Sequence, residues 1–246
     1  AFIVLSLGPA LGLLLARVNK AYGWLAALAF ACGAIALIFT LSRGGWLAFA
    51  VFLSFFSLLA LQRGWLSGRV VAVLAIVALV LFIALNQVII TRLTADDQGA
   101  AESRIPLMQI AWRMIRDRPI LGVGLNNGPI LLPSYITPDM GDIWVYGVHN
   151  KYLAVWSETG PGGLLAFLWF LIATLRRGWR SFRAGDPLLS PVALGLVTAV
   201  LGHMVHMMFD TFRDRPNTQL LWFYAALIAA IYLMSHGRES TQDASA

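Results

Sequence analysis

The chain has 246 residues, of which 59% are hydrophobic and 12% charged, with a formal net charge of +6 and a positive mean hydropathy. A soluble domain of this size needs a more polar coat, so the composition excludes an ordinary water-soluble protein and makes lipid the principal solvent. The cations are not gathered on one soluble face, which excludes nucleic acid as the partner that the positive charge serves.

Taken in chain order, Ala1 to Ala16 is an apolar run with no initiator Met and no signal-peptide cleavage pattern, so the chain is expected to be the C-terminal part of a longer protein. Apolar stretches at 22–40, 45–61, 70–90, 161–177, 190–209 and 217–235 each approach the ~20 residues that cross a bilayer as a helix. A barrel would instead alternate in pieces of ~10 residues. The expected fold class is therefore all-α, a polytopic integral membrane helical bundle. Residues 1–246 are read as a single transmembrane domain, with 92–148 as a long outward loop carrying an amphipathic helix. Cys32 lies mid-span, where a small buried apolar role is expected.

Arginines and lysines set the topology. Arg17 and Lys20, then Arg63 and Arg69, then Arg176, Arg177, Arg180 and Arg183 occupy alternate connections, with Arg238 in the tail. The positive-inside bias assigns these to the cytoplasmic side. The connection near Arg43, the segment 92–148 and the turn from Asp210 to Asn217 then face outward.

Within the outward segment, Glu102 to Arg118 sets Ile105, Met108, Ile110, Trp112 and Ile115 among Arg104, Arg113, Arg116 and Arg118, the pattern of an interfacial amphipathic helix that Pro119 ends. Leu121-Gly122-Val123-Gly124 and Asn126-Asn127-Gly128 predict tight turns. Their backbone is either open to a ligand such as a phosphate or packed closely on another element. From His149 to Arg176 an unbroken helix would run ~42 Å, more than a bilayer core requires. Gly160-Pro161-Gly162-Gly163 predicts a break, with a short surface or re-entrant helix over 149–159 and a span from Pro161 that leaves Glu158 at the outer boundary.

Several polar residues at this outward side could carry chemistry. Arg43, beside Ser42, Gly44 and Gly45, is either a topological marker or a guanidinium with room for a bulky anion. His149 can remove a proton near neutral pH, or it is one more satisfied interfacial histidine. His203, His206 and Asp210, at i, i+3 and i+7, predict one helical face. That face could be a proton relay, a metal site or a polar seam, and metal fits least, because the histidine spacing is not i, i+4. Arg213 and Arg215, with Asp210 and Asp214, read as a solvated charged turn.

Together the motifs resemble the O-antigen ligase and O-antigen polymerase superfamily of bacterial membrane glycosyltransferases. The resemblance rests on Leu41-Ser42-Arg43-Gly44-Gly45-Trp46, Ser103-Arg104, Asp117-Arg118-Pro119-Ile120-Leu121-Gly122-Val123-Gly124, His149-Asn150-Lys151-Tyr152-Leu153 and Glu158-Thr159-Gly160, in that order around a long loop. It implies glycan transfer from an undecaprenyl-diphosphate carrier at the periplasmic face of the inner membrane, with no cofactor and no required metal. The acceptor would be a glycan, lipid A-core or protein hydroxyl, and membrane lipids the surroundings. By motif match Arg43 and Arg104 would engage the donor diphosphate, and His149 would take the position of the essential histidine. Glu158 would orient His149, bind sugar or cap the next helix. Apart from the resemblance, His206 and Asp210 lie close enough to the outer surface to border the substrate. Two non-enzymatic readings compete: a transporter or flippase of lipid-linked glycans, and a scaffold for envelope assembly. A transporter would place its ionisable groups near the midplane rather than at one face.

Overall fold

The computed structural model describes residues 1–16, 18–68, 104–140 and 147–243. The expected span at 70–90, Arg17, Arg69 and Ser103 lie outside the described residues. Five described helices are long and apolar enough to cross a membrane, and no strand occurs among the described residues. The protein is a polytopic helical membrane protein. Its chain divides into two compact units, Ala1–Ala95 with Thr174–Val205 and Asp214–Ala246, and Asp96–Ala173 with His206–Arg213.

The first unit holds α1 (Phe2–Leu15), α2 (Lys20–Phe39) and α3 (Arg43–Gln62). To these it adds the end of α6 (Lys151–Arg183), most of α7 (Leu189–His206) and α8 (Arg215–Asp243). Asn19 caps α2 by accepting from the Ala21 N–H at 3.0 Å, and Ser42 caps α3 by accepting from Gly45 at 3.1 Å, each satisfying an otherwise orphaned amide. Small residues bring helices together. A Cβ on Gly195 of α7 would lie 2.9 Å from the Gly8 carbonyl carbon of α1, and one on Gly202 would lie 2.6 Å from the Ala48 oxygen of α3. Such close approach lets backbones pack without a hydrophobic force to drive them, as helices in lipid must. α2 by contrast leaves Trp24, Leu25, Leu28 and Phe39 exposed. Cys32, expected to be buried, is exposed there as well, because a helix bathed in lipid does not hide its apolar residues within protein.

Arg63 ties the predicted arginine-rich connections to one end of this unit. Its Nη2 donates to the Phe182 carbonyl at 3.3 Å, its guanidinium sits 4.8 Å from the Phe182 ring centre, and Trp65 meets the same ring edge-on. Arg180 Nη1 donates to the Tyr232 hydroxyl at 3.4 Å. The ends of α3, α6 and α8 that carry these residues are thus brought together, as the alternation of charges requires.

The second unit is built on α4 (Arg104–Asp117), a short α5 (Gly128–Leu131), two single 3-10 turns (Leu132–Tyr135, Pro138–Met140) and the first part of α6. The amphipathic helix is present, and its buried face agrees with the expected apolar set only in part, at Ile110 and Ile115. Leu107, Ile110, Ala111, Met114 and Ile115 are buried, whereas Ile105 and Trp112 are exposed. The buried face packs on Leu132, with Val123, Leu131, Tyr135, Ile136 and Met140 around it. The chain's own loop, not lipid, covers α4. Arg113 fastens that loop by donating from Nη1 to the Tyr135 carbonyl at 3.1 Å and to Thr137 Oγ1 at 2.9 Å.

The predicted break in α6 falls at Gly160, whose φ of 69° and ψ of −174° leave the helix. A side chain there would strike the Ile120 carbonyl, with its carbon at 2.7 Å, so glycine is required both by conformation and by contact.

Candidate functional site

Glu158 is the hub of the second unit. It is 6% exposed. One carboxylate oxygen pairs with Arg213 Nη2, and the other accepts from the Asn126 N–H at 3.1 Å. The glycine turn lies directly on the end of this helical segment. Val123 N–H donates to the Ser157 carbonyl at 2.8 Å and Gly124 N–H to the Glu158 carbonyl at 2.9 Å. A Cβ on Gly122, at φ +68°, would lie only 2.6 Å from the Glu158 carbonyl oxygen. Gly122 N–H donates to Arg118 and Asn127 N–H to Gly124. With these amides already bonded, the turn packs closely on the end of this helical segment.

The 206–213 segment is the third piece. The expected stripe of His203, His206 and Asp210 does not form, because α7 ends at His206 and Asp210 follows a turn outside any helix. The departing chain is tied to the start of α6 instead. Lys151 N–H donates to the Met207 carbonyl at 2.8 Å and Asn150 Nδ2 to the Met208 carbonyl at 3.2 Å. Asn150 Oδ1 meanwhile accepts from Leu153 N–H at 3.0 Å, capping α6. His149 therefore stands immediately before a helix start that is bonded to the residues immediately after His206. Phe212 sits edge-on to the His206 ring, 4.6 Å between centroids, in a left-handed conformation of φ 45°. A phenylalanine rarely accepts that strain, and it turns the chain so that Arg213 meets Glu158.

α4 is packed alongside. Ala111 joins Val148 and Ala154, and Trp112 meets Trp156 edge-on at 5.1 Å, with Arg104 about two turns before Ala111. Four nitrogens in this unit are buried without a hydrogen-bond partner among the described residues: Arg104 Nε, His149 Nδ1, His206 Nδ1 and Arg213 Nε. Leaving such atoms unmet costs about 1–3 kcal/mol each. Among the described residues no three His, Cys, Asp or Glu side chains group as metal ligands.

A family model described as O-antigen ligase matches residues 28–168, a stretch that takes in Arg43, Arg104, the glycine turn, His149 and Glu158. The chain belongs to the O-antigen ligase family. A search of the curated proteins finds no match. Membership of the O-antigen ligase family makes this coarsely a glycosyltransferase-type membrane enzyme, with a lipid-linked glycan and an acceptor as its substrates.

Of the residues singled out from sequence, Arg104, His149, Glu158, His206 and Asp210 fall in the second unit, and Arg43, half-buried at the start of α3, falls in the first. Glu158 meets Arg213 and Asn126 rather than His149. Arg213 is the residue that sequence reasoning undervalued. Its run of alternating charges reads as a solvated turn, and only the distant Glu158 distinguishes it from Arg215, which is exposed.

Proposed function

We propose that the protein transfers a glycan from an undecaprenyl-diphosphate carrier to a hydroxyl acceptor at the periplasmic face of the bacterial inner membrane. His149 acts as general base. It accepts the proton of the acceptor hydroxyl while that oxygen attacks the anomeric carbon of the donor sugar. The bond from anomeric carbon to phosphate oxygen breaks, the diphosphate leaves with the electron pair, and the configuration inverts. Fixed guanidiniums stabilise the charge that develops on the leaving group. Arg104 brings a buried, unmet Nε to this role, and the resemblance gives Arg43 the same one. His206 and Asp210 contact the glycan, and Glu158 acts by holding the scaffold around them.

The observation that supports this reading is the set of four buried, unmet nitrogens in the unit that also holds the motifs around Arg104, His149 and Glu158. Two belong to guanidiniums, suited to anionic oxygen, and two to imidazoles, suited to proton transfer. The test is His149→Ala and Arg104→Ala in the full-length protein, with membrane insertion, donor binding and transfer measured separately. The expected result for His149→Ala is normal donor binding with transfer lowered by about 10²–10⁴, and for Arg104→Ala weakened donor binding as well. Undiminished transfer in His149→Ala would remove the general base and bring a carrier of lipid-linked glycans or a scaffold forward.

A further inference from the structure

α4 hides its apolar face, yet the turn that follows it does the opposite. Ile120, Leu121, Leu125 and Ile130 are 76%, 80%, 72% and 74% exposed. Four large aliphatic side chains so close together in the chain are an unusual load for a water-facing loop.

Their depth follows from α6. Between Glu158 and Arg176 there is no charged residue, and the helical part beyond the break, from Pro161, runs about 23 Å, most of the hydrocarbon thickness. The buried pair of Glu158 with Arg213 closes one end of this stretch, so the break at Gly160 lies where the chain enters the bilayer. The turn is fixed at that same level. Ile120 lies against Gly160, and Leu121 N is 3.2 Å from its Cβ position. Val123 and Gly124 bond to Ser157 and Glu158. Beyond the break, in the same unit, Leu165 and Trp169 are exposed in the span, so the apolar surface of the turn adjoins one whose solvent is acyl chain. Arg116 and Arg118 are exposed just before the turn, where guanidiniums can reach phosphate headgroups while their stems follow the aliphatic patch.

We infer that the turn Ile120–Ile130 is an interfacial foot, with Ile120, Leu121, Leu125 and Ile130 inserted among the acyl chains of the leaflet at which α6 enters. Lipid contact thus belongs to the turn, while the buried face of α4 is covered by the chain's own loop. This inference stands whether or not the glycan-transfer reading does.

The experiment uses the full-length protein in phosphatidylethanolamine and phosphatidylglycerol vesicles, with Cys32→Ala as background and single cysteines at Leu121→Cys, Leu125→Cys and Ser134→Cys. Each carries a nitroxide label, and its collision with oxygen, which partitions into lipid, is compared with its collision with a water-soluble nickel chelate. The expected oxygen-to-chelate ratio at 121 and 125 is severalfold above that at Ser134, a polar exposed position of the same unit. Ratios at 121 and 125 equal to that at 134 would place the turn in water and overturn the inference. Protection from both reagents would overturn it too, because protein rather than lipid would then cover the patch. A Leu121→Asp and Leu125→Asp pair, both substitutions at exposed positions, should leave unfolding of the purified protein unchanged and raise the chelate accessibility of a label at Ile130→Cys. No rise would count against insertion.

Discussion

Substituting Glu158 with glutamine tests how the second unit is held together. The change keeps the side chain's shape and an oxygen for the Asn126 amide but removes the charge opposite Arg213. Removing one partner of a fully buried pair costs about 3–5 kcal/mol. Arg213 keeps 28% of its side-chain surface, so solvent can take up part of its charge, and about 2 kcal/mol is the fitting value. That penalty falls on the local equilibrium that lifts the glycine turn and the 206–213 segment from α6. Trypsin cleavage after Arg116, an exposed residue in the last turn of α4, reads this opening, because proteolysis follows the population of the open form. The cleavage rate of Glu158→Gln should rise roughly thirtyfold, a factor of ten for each ~1.4 kcal/mol. Arg213→Gln should act similarly. The double variant should fall short of the sum of the two singles by about 1 kcal/mol or more, since contacting partners are not additive. Additivity within ~0.5 kcal/mol, or cleavage at the unaltered rate, would refute the idea that this pair latches the turn.

Other outcomes follow from neighbouring geometry. Gly122→Ala forces a Cβ onto the Glu158 backbone at a left-handed φ, and should open the same turn by about 2 kcal/mol or more in the trypsin assay. Gly195→Val drives side-chain atoms into Gly8, and should lower the unfolding midpoint of the purified protein through an overpacking cost of about 1–3 kcal/mol. An unchanged midpoint would mean that α1 can move aside. Tyr135 donates to Asp117 Oδ2 at 2.6 Å, and this bond, together with burial and the carboxylate's charge, raises the phenol's pKa. In alkaline absorbance titration, the difference between the protein and its Tyr135→Phe variant should therefore show ionisation above the ordinary tyrosine range, moving down in Asp117→Asn. The raised pKa contributes stability that is present below the unfolded pKa and lost as pH rises through the folded one.

The apolar runs made the spans legible, since length in lipid needs no long-range information, and Gly160-Pro161 revealed the break because both residues resist the helix for local reasons. Periodicity also foretold α4, but periodicity says that a helix has an apolar face and not what covers it. Loop residues such as Leu132 and Met140 took that place, and Ile105 and Trp112 stayed out. The end of α7 at His206 was hidden by the Met207-Met208-Phe209 run, which is apolar enough to prolong a span on paper. Least legible was the meeting of Glu158 with Arg213. Each looks like a boundary charge by itself, and only the turn at Phe212, an unfavourable conformation for that residue, brings them together.

The approach of Gly8 to Gly195 has a consequence for how the protein is made. α1 packs on its neighbour α2, but its glycine face meets α7, a helix that the ribosome delivers only after the whole central part of the chain. At ~5–20 residues per second, α1 waits on the order of ten seconds or longer in the bilayer before that surface arrives. During that wait its glycine face is open to other small-residue helices, so factors that shield nascent spans should matter more for this helix than for the late pair α7 and α8, which emerge almost together.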